Sequence, residues 1–165
     1  MLGCSDRAFL ECAAAPAVNR GCLAAAPRRP FFFYGTLMDG DVLAAVAGGV
    51  TRRLPRRPAI ALGYQRVYRA GASYPVLVAK AGGRVDGVLV SGLAPFAAAC
   101  LARFEGDEYE LAGLPVVAEG RTVAVSAFLA RPWVPASGRE WTLAAWRRQH
   151  KRAFLSRLPR TGKPA

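Results

Sequence analysis

Two short constellations in this chain combine residue types that can do chemistry. The first, Tyr34-Gly35-Thr36-Leu37, sits between an aromatic run and a region with helix signals. A glycine there lets the backbone turn sharply, and successive N–H groups at a helix start point outward as donors for an anion or a developing oxyanion. On residues alone the tetrapeptide reads equally as an ordinary strand-to-helix turn. It is not a Walker loop, because the lysine and the second glycine at that spacing are missing. The second constellation is Phe104-Glu105-Gly106-Asp107-Glu108-Tyr109. A carboxylate held against aromatic side chains has its charged form disfavoured, which moves its pKa toward the range useful for proton transfer near neutrality. The plainer alternative is a solvated glutamate in a turn already acidic through Asp107, Glu108 and Glu110. Against it stands the placement of Glu105 at a helix C-terminus, where a negative charge opposes the macrodipole.

Other chemistries find little support in the residues. Cys4, Cys12, Cys22 and Cys100 form no C-x-x-C pair, and His150, the single histidine, has no partner at metal-ligand spacing, so no metal site is expected. There is no G-x-S-x-G, which leaves a serine-histidine-aspartate triad without a basis. Three cysteines lie within the first 22 residues, where a disulfide framework would have nothing to staple, so all four read as thiols of a reducing cytoplasm. Cys100 reads as a small core residue.

The elements that position the two constellations follow from periodicity. Phe31-Phe32-Phe33-Tyr34 predicts a buried strand stopped by Gly35. A helix follows, capped by Asp39 or Asp41, with Val42, Leu43 and Val46 on its apolar stripe and Gly48-Gly49 at its end. After a basic link over 51–58, strands are expected at 60–69, 74–79 and 84–91, the last covered on both faces. A second helix runs over 95–104, buries Phe96, Ala97, Cys100, Leu101 and Phe104, and ends at Gly106. Strands 109–118 and 122–130 form a hairpin around Glu119-Gly120-Arg121. A final helix begins near Thr142, or earlier through a Ser137-x-x-Glu140 capping box, and continues to about Leu158. Leu143, Trp146, His150, Phe154 and Leu158 form its inward stripe, so His150 reads as a packed residue. This order predicts a mixed α/β (α+β) domain, a mixed sheet or small barrel with few helices.

Composition sets the frame. Of 165 residues 53% are hydrophobic and 21% charged, with 23 basic against 11 acidic groups and a formal net charge of +12. A chain of this size buries roughly 70% of the surface its unfolded form exposes and needs no disulfide or structural metal to hold a core. No apolar stretch approaches the ~20 residues that span a bilayer. Residues 1–30, rich in Ala, Pro and Arg, lack the apolar run of a secretory signal and read as a flexible extension before a single domain over 31–165. The charge excess concentrates after residue 130, around Arg147, Arg148, Lys151 and Arg152. A basic helix can attract phosphates. With no RNA or DNA motif beside it, a nucleic-acid partner is not expected and the run reads as a solvated face.

In order along the chain, Phe31-Phe32-Phe33-Tyr34-Gly35-Thr36-Leu37, Gly71-Ala72-Ser73-Tyr74-Pro75, Gly87-Val88-Leu89 and Leu101-Ala102-Arg103-Phe104-Glu105-Gly106-Asp107-Glu108-Tyr109 resemble the gamma-glutamylcyclotransferase-like, or AIG2-like, proteins. The resemblance spans about residues 31–130, and the Trp-Thr-Leu-Ala-Ala-Trp-Arg-Arg-Gln-His segment is similar to the C-terminal helix of bacterial members. It implies a compact mixed fold around a small β-barrel, with the pocket at its mouth. It assigns the catalytic acid/base to Glu105 and gamma-glutamyl binding to Tyr34, Gly35, Thr36 and Leu37. Tyr74 and Tyr109 are candidate pocket walls, or else core. One departure is Leu101-Ala102, where many relatives carry Leu-Asp. The activity implied is cyclisation of a gamma-glutamyl amino acid, peptide or amine to 5-oxoproline with release of the amine. The attacking α-amine belongs to the substrate, so neither a protein nucleophile nor a cofactor is expected. A non-catalytic module of the same fold that binds a small metabolite is the alternative. Segment 131–139 is expected to shape the pocket.

Overall fold

A computed structural model describes residues 29–158. The expected flexible extension and the cysteines at 4, 12 and 22 therefore lie, apart from residues 29 and 30, outside the described residues. Strand β1 (Phe31–Phe33) continues the aromatic run, and its three side chains are buried. A short 3₁₀ turn (Thr36–Met38) leads into helix α1 (Gly40–Ala47). The Asp39 carboxylate caps α1 by accepting from the N–H groups of Asp41 at 3.0 Å and Val42 at 3.4 Å, which satisfies donors that a helix start leaves orphaned.

Two long strands, β2 (Arg56–Arg69) and β3 (Pro75–Val90), pair antiparallel along nearly their whole length. The strands expected at 74–79 and 84–91 are thus one strand, and β2 begins within the expected basic link. The glycines at 82 and 83 do not end β3, because the register shift between Leu62 and Tyr64 forms a bulge that accommodates them. A Cβ at Gly83 would stand 2.3 Å from the Tyr64 carbonyl oxygen, so only glycine permits this approach.

Helix α2 (Pro95–Glu105) starts with proline at its first position and ends at Gly106, whose φ of 63° lies in the region glycine favours. Strands β4 (Tyr109–Ala118) and β5 (Arg121–Ala130) form the expected hairpin, turning on Glu119 (φ 50°) and Gly120 (φ 73°). Positive φ at both positions matches the twist of the flanking strands. Residues 136–140 form a short exposed strand, β6 (Ala136–Glu140), on the edge of β2. The capping-box alternative at 137–140 is therefore incorrect, whereas Thr142 does cap helix α3 (Leu143–Gln149) by accepting from Ala145 N–H. The expected single helix to Leu158 is broken at His150, after which α4 (Lys151–Arg157) follows.

Sheet order β3-β1-β5-β4-β2, with β2 pairing back to β3, closes a five-stranded barrel that β6 extends. The pair β1–β5 is parallel and the other pairings are antiparallel. Alternation along β1 divides the core in two. Phe32 and Tyr34 join Ala61, Val85, Leu89, Val116 and Val125 in a cluster fed by all five barrel strands, which is the barrel interior. Phe31 and Phe33 point the other way, into a cluster with Leu43 of α1, Leu101 of α2 and Trp146 of α3. Cys100 is buried, as a small core residue would be. The mixed α/β architecture expected from the sequence is the architecture observed.

Candidate functional site

The segments singled out in the sequence meet at one end of the barrel. Tyr34, buried in the barrel, donates its hydroxyl to the Phe128 carbonyl at 2.6 Å. Arg66 of β2 donates to the Tyr34 carbonyl at 2.8 Å, so the residue that opens the 34–37 loop is held from both its ends. Gly35 has φ −117°, an ordinary extended value, so the sharp turn is not what requires glycine here. Close approach is. A Cβ at Gly35 would lie 3.1 Å from Cγ of Pro75, which packs on the loop. Thr36 and Leu37 are buried at the base of the turn. The N–H groups of Met38 and Asp39 are already given to the carbonyls of Gly35 and Thr36, so donors toward a ligand have to come from residues 35–37.

Pro75 ties the second motif to the fourth. Its carbonyl accepts from the Tyr109 hydroxyl at 2.9 Å, and the rings of Tyr74 and Tyr109 sit 6.4 Å apart, tilted by 59°. Glu105, the last residue of α2, is partly buried beside these tyrosines. Its negative charge helps raise the pKa of Tyr34, Tyr109 and Tyr74, although burial is the larger cause in each; Tyr74 reaches about 12. Burial likewise pushes the Glu105 carboxyl up to about 8. Among the described residues no cation pairs with that carboxyl and no group hydrogen-bonds it. An unpaired carboxyl in such surroundings exchanges a proton close to neutral pH.

One network beside the site escaped the sequence reading. Glu108 accepts from the Arg69 guanidinium through one carboxylate oxygen and from the Tyr74 hydroxyl, at 2.9 Å, through the other. Arg69 also donates to the Ala70 carbonyl at 2.7 Å, while its Nε is buried without a partner. Glu108 is thus a fixed acceptor that aims Tyr74, not one more solvated acid of the turn. The acidity of the 107–110 run hid it, and its partner lies 39 residues upstream. Segment 131–139 contributes Pro135, whose carbonyl accepts from Ala70 N–H at 2.9 Å and steadies the 70–74 turn. His150 is partly buried, and its backbone N–H bonds to the Trp146 carbonyl at 2.8 Å. Among the described residues no His, Cys, Asp and Glu side chains gather in a way that could hold a metal ion, and no described helix is long and apolar enough to cross a membrane.

The family model described as gamma-glutamyl cyclotransferase, AIG2-like, matches residues 31–148, which takes in all four motifs. The chain belongs to this family. AIG2-like protein A of Arabidopsis thaliana is 30% identical over 134 residues, covering 75% of this chain and 75% of the relative. Protein AIG2 C of the same plant is 28% identical over 130 residues, again covering 75% of each chain. Among solved structures, that of an Arabidopsis thaliana protein superposes with a TM-score of 0.54 at 28% identity, covering 82% of this chain and 91% of that one. A structure named gamma-glutamyl cyclotransferase superposes with a TM-score of 0.53 at 13% identity, over 62% of this chain and 66% of its own. At that identity the likeness is one of fold. The AIG2-like frame here is the barrel with the 34–37 loop and the end of α2 at one rim.

Proposed function

We propose that this AIG2-like protein is a gamma-glutamylcyclotransferase that converts the gamma-glutamyl group of a small amino acid, peptide or amine conjugate to 5-oxoproline and releases the amine. The observation that carries the reading is Glu105: a carboxyl without a counter-ion, partly buried at the rim among three tyrosines and titrating near 8. A group whose only task was stability would not be left in this state.

The chemistry then runs on groups already in place. The substrate's α-ammonium gives a proton to the Glu105 carboxylate, and the freed amine nitrogen attacks the γ-carbonyl carbon, forming the ring C–N bond. The carbonyl π electrons move onto oxygen, where N–H groups of residues 35–37 stabilise the oxyanion or hold the substrate's α-carboxylate. Protonated Glu105 delivers its proton to the departing nitrogen as the old C–N bond breaks and the carbonyl reforms, and the second proton of the attacking nitrogen passes through the same carboxylate to the released amine, which leaves as an ammonium. The carboxyl ends as it began, and no protein nucleophile is consumed. Because nucleophile and electrophile belong to one molecule, holding the curled conformer is itself a large part of the task. Tyr74, Tyr109 and the buried base of the loop supply rigid walls for it.

The deciding experiment is 5-oxoproline release from a panel of gamma-glutamyl amino acids, peptides and gamma-glutamyl-ε-lysine, with wild type and Glu105→Gln compared. Release by wild type that the substitution abolishes is expected, and it identifies the leaving group. Release by both proteins would remove Glu105 from the mechanism. Release by neither, with both folded, would leave a metabolite-binding module.

A further inference from the structure

Away from the Glu105 rim, a hollow of about 440 Å³ opens on the outer face of β2 and β3 beside the start of α1. Arg56, Arg57 and Arg147 line it, with Gly40 and Met38 completing the wall. The charges there do not cancel. Asp39 and Asp41 between them face three cations, Arg52, Arg147 and Lys151, through contacts of 2.7–2.9 Å. That cluster therefore keeps one positive charge in excess. Arg56 adds another, since its guanidinium donates to the neutral Met38 carbonyl at 2.7 Å and meets no carboxylate among the described residues. Arg57 reaches only Glu119, at 3.5 Å, through a pair of largely exposed side chains.

Gly40 keeps this space open. A Cβ there would come within 3.1 Å of an Arg56 guanidinium nitrogen, so glycine leaves that fork free to turn toward the hollow. The Asp39 cap takes the N–H groups of Asp41 and Val42, which leaves the first N–H of α1, that of Gly40, outside the cap and on the same wall.

We infer that this hollow is a second ligand site, which takes a small phosphate ester through Arg56, Arg57 and Arg147. Guanidinium forks match phosphate oxygens in pairs. Three guanidinium groups on one hollow suit a doubly charged phosphate better than a singly charged carboxylate. The hollow is open on its outer side, which leaves room for the group that a phosphate ester carries. The excess of positive charge matches a phosphate monoester dianion. None of Glu105, Tyr34, Tyr74 and Tyr109 lines the hollow, so the inference does not depend on the cyclotransferase reading.

The test is calorimetric titration of the full chain with inorganic pyrophosphate in dilute buffer, for wild type and three variants. Arg57→Ala removes one fork without disturbing a buried contact, and it is expected to weaken binding about tenfold. Gly40→Asp places a carboxylate beside Arg56 at a helix position where acids are favoured, so it folds and abolishes binding. Arg148→Ala removes an exposed arginine outside the hollow and leaves binding unchanged. No heat from wild type up to millimolar pyrophosphate would overturn the inference. So would equal losses in Arg57→Ala and Arg148→Ala, which would show diffuse attraction to a basic surface, or binding that persists in Gly40→Asp. A short DNA duplex that binds wild type and Gly40→Asp alike, more tightly than pyrophosphate does, would assign the basic surface to a nucleic acid instead.

Discussion

The Tyr34 hydroxyl donates to the Phe128 carbonyl at 2.6 Å, fastening the start of the 34–37 loop to the end of β5. Ninety-four residues separate the two, so the bond exists only once the barrel has closed. Tyr34→Phe leaves the ring packed and strands a buried carbonyl. Such a loss costs about 1–2 kcal/mol, which lowers Tm by a few degrees in a chain of this size. It also frees the loop that, in the proposed mechanism, offers its N–H groups to substrate, so 5-oxoproline release should fall by roughly tenfold as orientation is lost. Thermal melts and turnover of the same preparation read both effects.

The raised pKa of Glu105 predicts an unusual pH dependence. If the ionised carboxylate takes the ammonium proton, kcat/KM should climb as pH rises and bend near 8, where Glu105 titrates in the free protein. A bend near the ordinary carboxylate value of 4.5 would show that the rim does not hold the group as described.

Stability should respond to the same group with a definite sign. The folded protein binds the Glu105 proton more tightly than the unfolded chain does, so between about 4.5 and 8 the native state carries more protons and loses stability as pH rises. Glu105→Gln removes this term. The variant should melt close to wild type at pH 4.5 and a few degrees above it at pH 8, in melts recorded across that interval.

How much of this was legible beforehand depends on the range of the interactions. The capped start of α1, the proline-to-glycine span of α2 and the 119–120 turn were readable because the residues that decide them are local. Gly82 and Gly83 signal a stop, which predicts two strands where β3 is one, and only the bulge opposite them in β2 cancels that signal. Strand β6 gave no signal, since Ala136-Ser137-Gly138-Arg139-Glu140 is exposed throughout and held by backbone pairing to β2. The break at His150 falls where no glycine or proline marks it. Glu105 could be proposed from its neighbours in sequence. Its setting could not, because Tyr34 and Tyr74 reach it through closure of the barrel and Glu108, in the turn before β4, is fixed by Arg69 of β2.

The C-terminal basic run is not wholly a solvated face. Arg147 and Lys151 donate to the fully buried Asp39 at 2.7 and 2.9 Å, pinning α3 and α4 to the cap of α1. Asp39→Ala removes a helix cap and takes a buried carboxylate from Arg147 and Lys151, of which, among the described residues, only Lys151 keeps another partner, Asp41, so a loss of about 2–4 kcal/mol is expected. Burial works against the charged form of Asp39, but the bonds from Lys151, Arg147 and the Asp41 N–H outweigh it and hold the carboxyl below its ordinary range. Asp41 is held down to about 2, mainly by its bonds to Lys151 and Arg52. Both depressed groups contribute stability above pH 3.8 that is lost as pH falls toward their folded values. Acid unfolding should therefore set in below about pH 4 in wild type, and Asp39→Ala should flatten that limb. Unfolding by urea at pH 7 and pH 3 measures both.

Gly87 offers the sharpest test of the barrel itself. It lies on β3 between the inward-facing Val85 and Leu89. A Cβ at this point would stand 2.3 Å from the edge of the Phe32 ring and 2.6 Å from the Phe33 carbonyl oxygen. Neither obstacle can yield cheaply, because the ring fills the barrel interior and the carbonyl belongs to β1, which pairs with β3 at Phe33 and Val88. Gly87→Ala should cost about 2–4 kcal/mol by overpacking, and the strain should shift β1 and with it the Tyr34 loop. A second change, Phe32→Leu, makes room for the added methyl. The double variant should recover part of the loss in denaturant unfolding, whereas two effects that simply add would place the penalty of Gly87→Ala elsewhere.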